Sequence, residues 1–270
     1  MPVATRREKW NVLLCDNTSK AAVPKSRRFK LVVRPRAETV KNLIVFCSAM
    51  RLPHVSQLVT NVNRRNQLRA LFLHEDADAK WLPQMLDRAN LRAVRNLVVH
   101  SHIDVPRRIL NAWEHDAQDK LIARAMVSGD KLFVTSCVPE TIELGFDALP
   151  ALKRIRPGDR STFEIAADGS YIHWPTPDIH LDLSTIRGAV EPGYREREAA
   201  ARLAHDNRYG SAIAALRIER GLRQSDISGL SERQVRRIEK GERPTLNALK
   251  SLAQAHELDL NEYLTELAAL

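Results

Sequence analysis

The 270-residue sequence predicts a multi-domain protein, with α+β N-terminal and middle regions followed by an all-α bundle at the C-terminus. Three observations lead there. The length suits roughly two or three domains. Between residues 131 and 188, short alternating segments of β texture replace the longer mixed patterns before them. After residue 209, short helical stretches are punctuated by glycine and proline. The expected divisions are a basic mixed α/β region at 1–125, a small α+β domain at 126–190, a linker helix at 191–208 and a helical domain at 209–270.

In the first region, "RFKLVV" (28–33) reads as a strand and "AETVKNLIVFCSAM" (37–50) as a helix or a helix running into a strand. "WLPQMLDRANLRAVRNLVVH" (81–100) reads as a helix, with Leu86, Leu91, Val94, Leu97 and Val98 in roughly helical spacing. "VPRRILNAWEHDAQDKLIARAMV" (105–127) continues that periodicity. These patterns name no fold.

In the middle region, "KLFVTS" and "TIELGF" are short strands and "DALPAL" is a helical turn. "STFEIAADGSYIHWP" is a hairpin in which Asp168-Gly169 supplies the positive-φ residues of a tight turn, and "IHLDL" is another alternating segment. Residues 126–188, with "DGSYIHWPTPDIHLDL", resemble a small uncharacterised bacterial domain found beside helix-turn-helix modules, which implies no activity. "EPGYREREAAARLAHDNRYG" (191–210) is charged and alanine-rich, as expected of a linker helix with a solvated face.

Charge narrows the partners. The net is +9, and the excess sits early: residues 1–110 carry 21 Lys/Arg against 8 Asp/Glu, whereas residues 209–270 carry 9 of each. A region that basic favours an anionic partner, nucleic acid rather than a membrane, since no long basic amphipathic helix accompanies it. It could also serve as an assembly surface for another nucleoprotein. Only 5% of residues are aromatic, so base stacking is not the expected binding mode. Cys15, Cys47 and Cys137 are odd in number and widely spaced, which suggests neither a disulfide framework nor a cysteine zinc site. The longest apolar run, "LIVFC", is too short to span a bilayer, and no apolar signal core follows the basic N-terminus. The expected location is the cytoplasm. No Walker loop, G-x-G-x-x-G or G-x-S-x-G occurs, so no cofactor is expected.

The C-terminal segment carries the clearest signal. Ser211 is placed to cap a first helix that Gly221 ends, Ser231 to cap another that Gly241 ends, and Thr245 opens a further one after Pro244. Ile213, Leu216, Leu222, Ile227, Leu230, Val235, Ile238, Leu246, Leu249 and Leu252 are the expected core. In the final helix, Leu260, Leu264, Leu267 and Leu270 fall on one side, as core or as a homodimer contact.

Residues 210–265 resemble the Cro/CI-type (xenobiotic-response-element) helix-turn-helix family of transcriptional regulators. The resemblance rests on Leu216-Arg217 with Arg220-Gly221 in the first helix, Gln224 opening the second, "LS" before the third and "RIEKG" closing it. It implies that the third helix lies in the major groove of double-stranded DNA. Carried over by position, Gln224 contacts phosphate, Ser231 opens the DNA-facing helix, and Glu232, Arg233, Gln234 and Arg237 face base edges, with Arg236 and Lys240 on phosphates. Arginine can span guanine O6 and N7, and glutamine adenine N6 and N7. The family pattern also implies an ion pair between Arg217 and Glu239. Between Ile227 and Ser231 this chain is about three residues shorter than the family's usual pattern, which predicts a second helix of about one turn.

Two weaker constellations remain. "RNLVVH" (95–100) resembles the R-N-x-x-x-H signature of HEPN ribonucleases, which implies metal-free RNA cleavage by Arg95 and His100 from one helix face; the plainer reading is an ordinary helix end. "HWPTPDIHLD" offers His173, Asp178, His180 and Asp182, but Ile179, Leu181 and Leu183 explain the alternation as sheet burial, so no metal is expected. Trp174 is a core anchor on the same reading.

Overall fold

A computed structural model of the chain describes residues 9–16, 18–75, 86, 87, 91, 94 and 96–269. The chain divides into two compact units between Pro192 and Gly193.

The first unit opens with a five-stranded sheet: β1 (Trp10–Leu14), β2 (Phe29–Leu31), β3 (Leu43–Ser48), β4 (Leu68–His74) and β5 (Leu97–His100). The strand order is β2-β1-β3-β4-β5 and every pairing is parallel. This is a doubly wound order whose direction reverses between β1 and β3. Side chains alternate across the sheet, so Leu43, Val45 and Cys47 pack with α1 (Leu52–Arg64) through Leu52, Val59 and Val62. Ile44 and Phe46 face the other way, with Ile109, Leu110 and Trp113 of α2 (Asp104–Glu114). A strand covered on both faces loses polar alternation, which is why "LIVFC" shows no period and its helical alternative fails.

Two further helical expectations are corrected here. Of the helix expected at 81–100, Leu86 and Asp87 are helical and much of the rest lies outside the described residues, but Leu97–His100 is a strand paired to Leu71–His74. The helix expected at 105–127 stops at Glu114, and Ile122–Ser128 is β6. Apolar residues of neighbouring elements had simulated one continuous helical face.

The same unit continues into two antiparallel three-stranded sheets. β6, β7 (Lys131–Ser136) and β8 (Thr141–Gly145) form one; β9 (Glu164–Ile165), β10 (Tyr171–Trp174) and β11 (Ile179–Asp182) form the other. Short helices α3 (Pro150–Lys153) and α4 (Leu183–Val190) complete one shared core. The boundary expected at 125/126 falls inside β6, where Arg124 pairs with Thr135 and Met126 with Phe133, so the ladder crosses it. Trp174 is fully buried, and its indole N–H donates to the Arg160 carbonyl at 3.0 Å. In the 168–169 turn only Gly169 takes positive φ (81°), and a Cβ there would meet the Ile122 carbonyl at 2.5 Å. Asp168 instead accepts from the Ser170 amide and hydroxyl.

The second unit is helical: α5 (Tyr194–Glu219), a 3-10 turn (Gln224–Asp226), α6 (Glu232–Glu239), α7 (Leu246–Ala255) and α8 (Leu260–Ala269). The expected linker at 191–208 and the first helix of the bundle are one 26-residue helix. Ser211 is therefore no cap; it lies mid-helix, its hydroxyl donating to the Asn207 carbonyl. Ser231 and Thr245 do cap, accepting from the amides of Gln234 and Ala248, and Gly221 and Gly241 end their helices at φ 70° and 96°. Ile213, Leu216, Ile227, Val235, Ile238 and Leu252 are buried as their spacing predicts. Leu246 is 59% exposed, a correction that follows from its place at the first turn of α7. In α8 the inward residues are Tyr263 and Leu267, while Leu264 faces out. Among the described residues no helix is long and apolar enough to cross a membrane.

Candidate nucleic-acid interface

Helix α6 carries the site. Only Val235 and Ile238 are buried, and the other face points outward. At 100° per residue, Arg233, Arg236, Arg237 and Lys240 cluster on the side opposite that buried pair, and all four are exposed. Four cations on two helical turns would repel one another in isolation, and an anionic surface relieves that repulsion. Glu232, also exposed, lies in the first turn, where an acid complements the helix dipole.

The base of the helix is pinned by charge. Arg217 Nε lies 2.5 Å from Glu239 Oε1 and Nη2 lies 3.3 Å from Oε2, with the two side chains only 11% and 9% exposed. Arg217 also donates to the Leu222 carbonyl at 2.6 Å. The pair thus fixes the end of α5, the following turn and the last turn of α6 to one another.

Two of the expected DNA contacts are held elsewhere. The Gln224 amide donates to Glu239 Oε2 at 2.6 Å, so it completes the ion-pair network rather than facing a phosphate. Gln234 Oε1 accepts from the Ser231 amide and hydroxyl at 2.9 Å each, closing a capping box with Ser231. Spanning an adenine would require Gln234 to give up that cap. Arg237 Nε pairs with Glu242 Oε2 at 2.5 Å, both exposed, so this contact is exchangeable with an external anion. The second helix is a three-residue 3-10 turn, shorter still than a full α-helical turn.

Positioning residues at and just before the start of the expected domain carry no sequence motif. A Cβ at Gly210, inside α5, would meet the carbonyls of Ile238 and Glu239 at 2.5 and 2.7 Å. A Cβ at Gly241 would meet Asn207 Oδ1 at 2.3 Å, and Asp206 pairs with Arg243 at 2.9 Å. The segment 206–210 is therefore the bed on which the end of α6 lies. Its signal was a glycine amid strong helix formers, where conformational cost calls for a packing reason.

The helix expected to carry His100 is a strand. His100 ends strand β5 opposite His74, and Asn96–His100 runs as turn and strand, so no helix face carries it; Arg95 lies outside the described residues. His100 is 4% exposed, with neither ring nitrogen hydrogen-bonded. Burial, then the neighbouring His74, pushes its pKa down to about 4, against the opposing pull of the His102 main chain and Asp16. The imidazole is neutral. Cys15, Cys47 and Cys137 form no disulfide, and burial pushes the Cys137 thiol up to about 12.

Helices packed around one core, with one short helix turning a cationic face outward, are the arrangement of a DNA-binding module of the helix-turn-helix class. Residues 213–263 match the helix-turn-helix family model, of Cro/CI type. No curated protein and no solved structure matches the chain. The C-terminal module binds DNA, which points to transcriptional regulation.

Proposed function

We propose that the chain is a sequence-specific transcriptional regulator, acting by binding rather than catalysis, that sets α6 into the major groove of double-stranded DNA. The observation that carries this is the outward face of α6. Arg233, near its N-terminus, is the leading base reader; Arg237 can join it by exchanging Glu242 for guanine; Arg236 and Lys240 serve phosphates.

The first unit adds general affinity on this reading. Lys25, Arg27, Lys30, Arg34, Arg36 and Lys41, all exposed, flank or lie on the edge strand β2, with Glu38 the one acid between them. Arg28, by contrast, is structural: it stacks 4.3 Å over Trp10 and pairs with Asp116.

The test is selection of bound duplexes from a random pool, followed by gel shifts. Wild type is expected to enrich a defined site, and Arg233→Ala with Arg237→Ala to lose at least about tenfold in specific over random affinity. Retention of the full preference by that double variant sinks base readout by α6. The spacing of selected half-sites, about 34–36 Å for a dimer, reads the number of copies bound.

A further inference from the structure

The hairpin of β10 and β11 places three metal-competent side chains together. In the antiparallel register His173 lies directly opposite His180. Their neighbours Ile172, Trp174, Ile179 and Leu181 are buried, so both imidazoles are held on the outer face. Asp178 enters from the connecting turn, where its backbone takes φ 57°. His173 Nε2 is 3.1 Å and His180 Nδ1 3.8 Å from Asp178 Oδ1. The two rings stack at 4.1 Å with 12° between planes. One ligand atom from each residue falls within 4.8 Å of the others.

We propose that His173, Asp178 and His180 form a three-ligand surface site for a borderline divalent cation, with Zn²⁺ as the fitting ion and a fourth position open to solvent. Metal–ligand bonds of about 2.0–2.2 Å put donor atoms roughly 3–3.5 Å apart around a tetrahedral ion, so the hairpin needs only small side-chain rotations to close on it. Two imidazoles and one carboxylate select zinc-like ions over Mg²⁺ or Ca²⁺, which take all-oxygen shells. On binding, the hydrogen bond between His173 and Asp178 gives way to metal ligation, each imidazole ligating through a ring nitrogen that carries no proton.

Asp182, on the same face, is not a ligand. Its Oδ1 accepts from the Thr185 amide at 2.7 Å and the Ser184 hydroxyl at 3.1 Å, capping α4. An ion on the hairpin would therefore tie β10 to β11 immediately before that cap without disturbing it. The site lies outside the DNA-binding unit and rests on no reading of it. Side-chain exposures of 28%, 50% and 79% for His173, His180 and Asp178 indicate weak, exchangeable binding.

The experiment is calorimetric titration of ZnCl₂ into the EDTA-stripped full chain, comparing wild type with His173→Gln, His180→Gln, the double variant and Asp178→Asn. All three side chains point outward, so the variants should fold, and an unchanged Trp174 environment in near-ultraviolet circular dichroism checks this. The expected result is a site that weakens at least about tenfold in each single variant and disappears from the stoichiometry in the double variant. Equal stoichiometry and affinity in the double variant, or no uptake by wild type at about 100 µM Zn²⁺, overturns the proposal.

Discussion

The two units are held together over different distances along the chain. In the second, the core from Ile213 to Leu267 is assembled from consecutive helices joined by short turns, with Ser231 and Thr245 capping two of them and Gly221 and Gly241 ending two. In the five-stranded sheet of the first, β1 pairs with β2 and β3, and β4 with β3 and β5, all in parallel, so each of those pairings waits on a crossover. Parallel pairing demands long connections and burial of both sheet faces, and both remove local signals. The difference teaches that punctuation is readable where contacts are local, and periodicity is not where an element is covered on both sides.

The comparison can be tested by damaging one unit and watching the other. All four tryptophans, Trp10, Trp81, Trp113 and Trp174, precede residue 193, so tryptophan fluorescence reports the first unit alone. The largest effect is expected from Glu239→Ala, which strands Arg217 and the Gln224 amide in a nearly buried site. A loss of about 3–5 kcal/mol should appear in hydrogen exchange across residues 213–267, with the fluorescence transition unmoved. If the fluorescence midpoint falls equally, the units are not independent.

A smaller effect is expected from Gly210→Ala. The new methyl would press on two carbonyls of α6, against which stands alanine's better helix propensity of about 1 kcal/mol. A net loss of about 1–2 kcal/mol, with weakened DNA binding, should follow. Unchanged stability and affinity would mean that α6 does not depend on segment 206–210 for its placement.

An effect confined to a narrow window concerns acid. His100 titrates near pH 4 in the fold but near the ordinary 6.5 when unfolded, so below pH 6.5 the unfolded chain binds the extra proton. Its contribution is complete above pH 6.5 and is lost as the pH falls toward 4. Fluorescence-monitored melting should thus decline less steeply across that window in His100→Gln than in wild type. Parallel declines would remove His100 as the cause.

Much of the candidate site was legible in order along the chain. The apolar pair Val235 and Ile238, the Ser231 cap and the Gly241 terminator all lie within one short stretch, and the Arg217–Glu239 pair was implied by the family resemblance alone. The partner of Gln224 was not legible, because a glutamine is taken by whichever donor or acceptor reaches it first in space, whereas that of Gln234 had a local signal, the S-x-x-Q spacing of a capping box. Those partners are Glu239 and Ser231. The hairpin histidines were read as sheet alternation, since their apposition depends on strand register.

Residue order by itself determined both ends of α6, the start of α7 and the inward set Ile213, Leu216, Ile227, Val235, Ile238 and Leu252, because caps, glycines and apolar spacing act within a few neighbours. It also determined where charge accumulates. The tertiary structure alone decided that Leu43–Ser48, Leu68–His74 and Leu97–His100 lie side by side in one parallel sheet, and that His173 meets His180. It also decided that a helix beginning at Tyr194 reaches forward to bed α6. The physical reason is shared by all three: each depends on contacts between distant segments, whose free energy is gained only after the chain has folded back on itself.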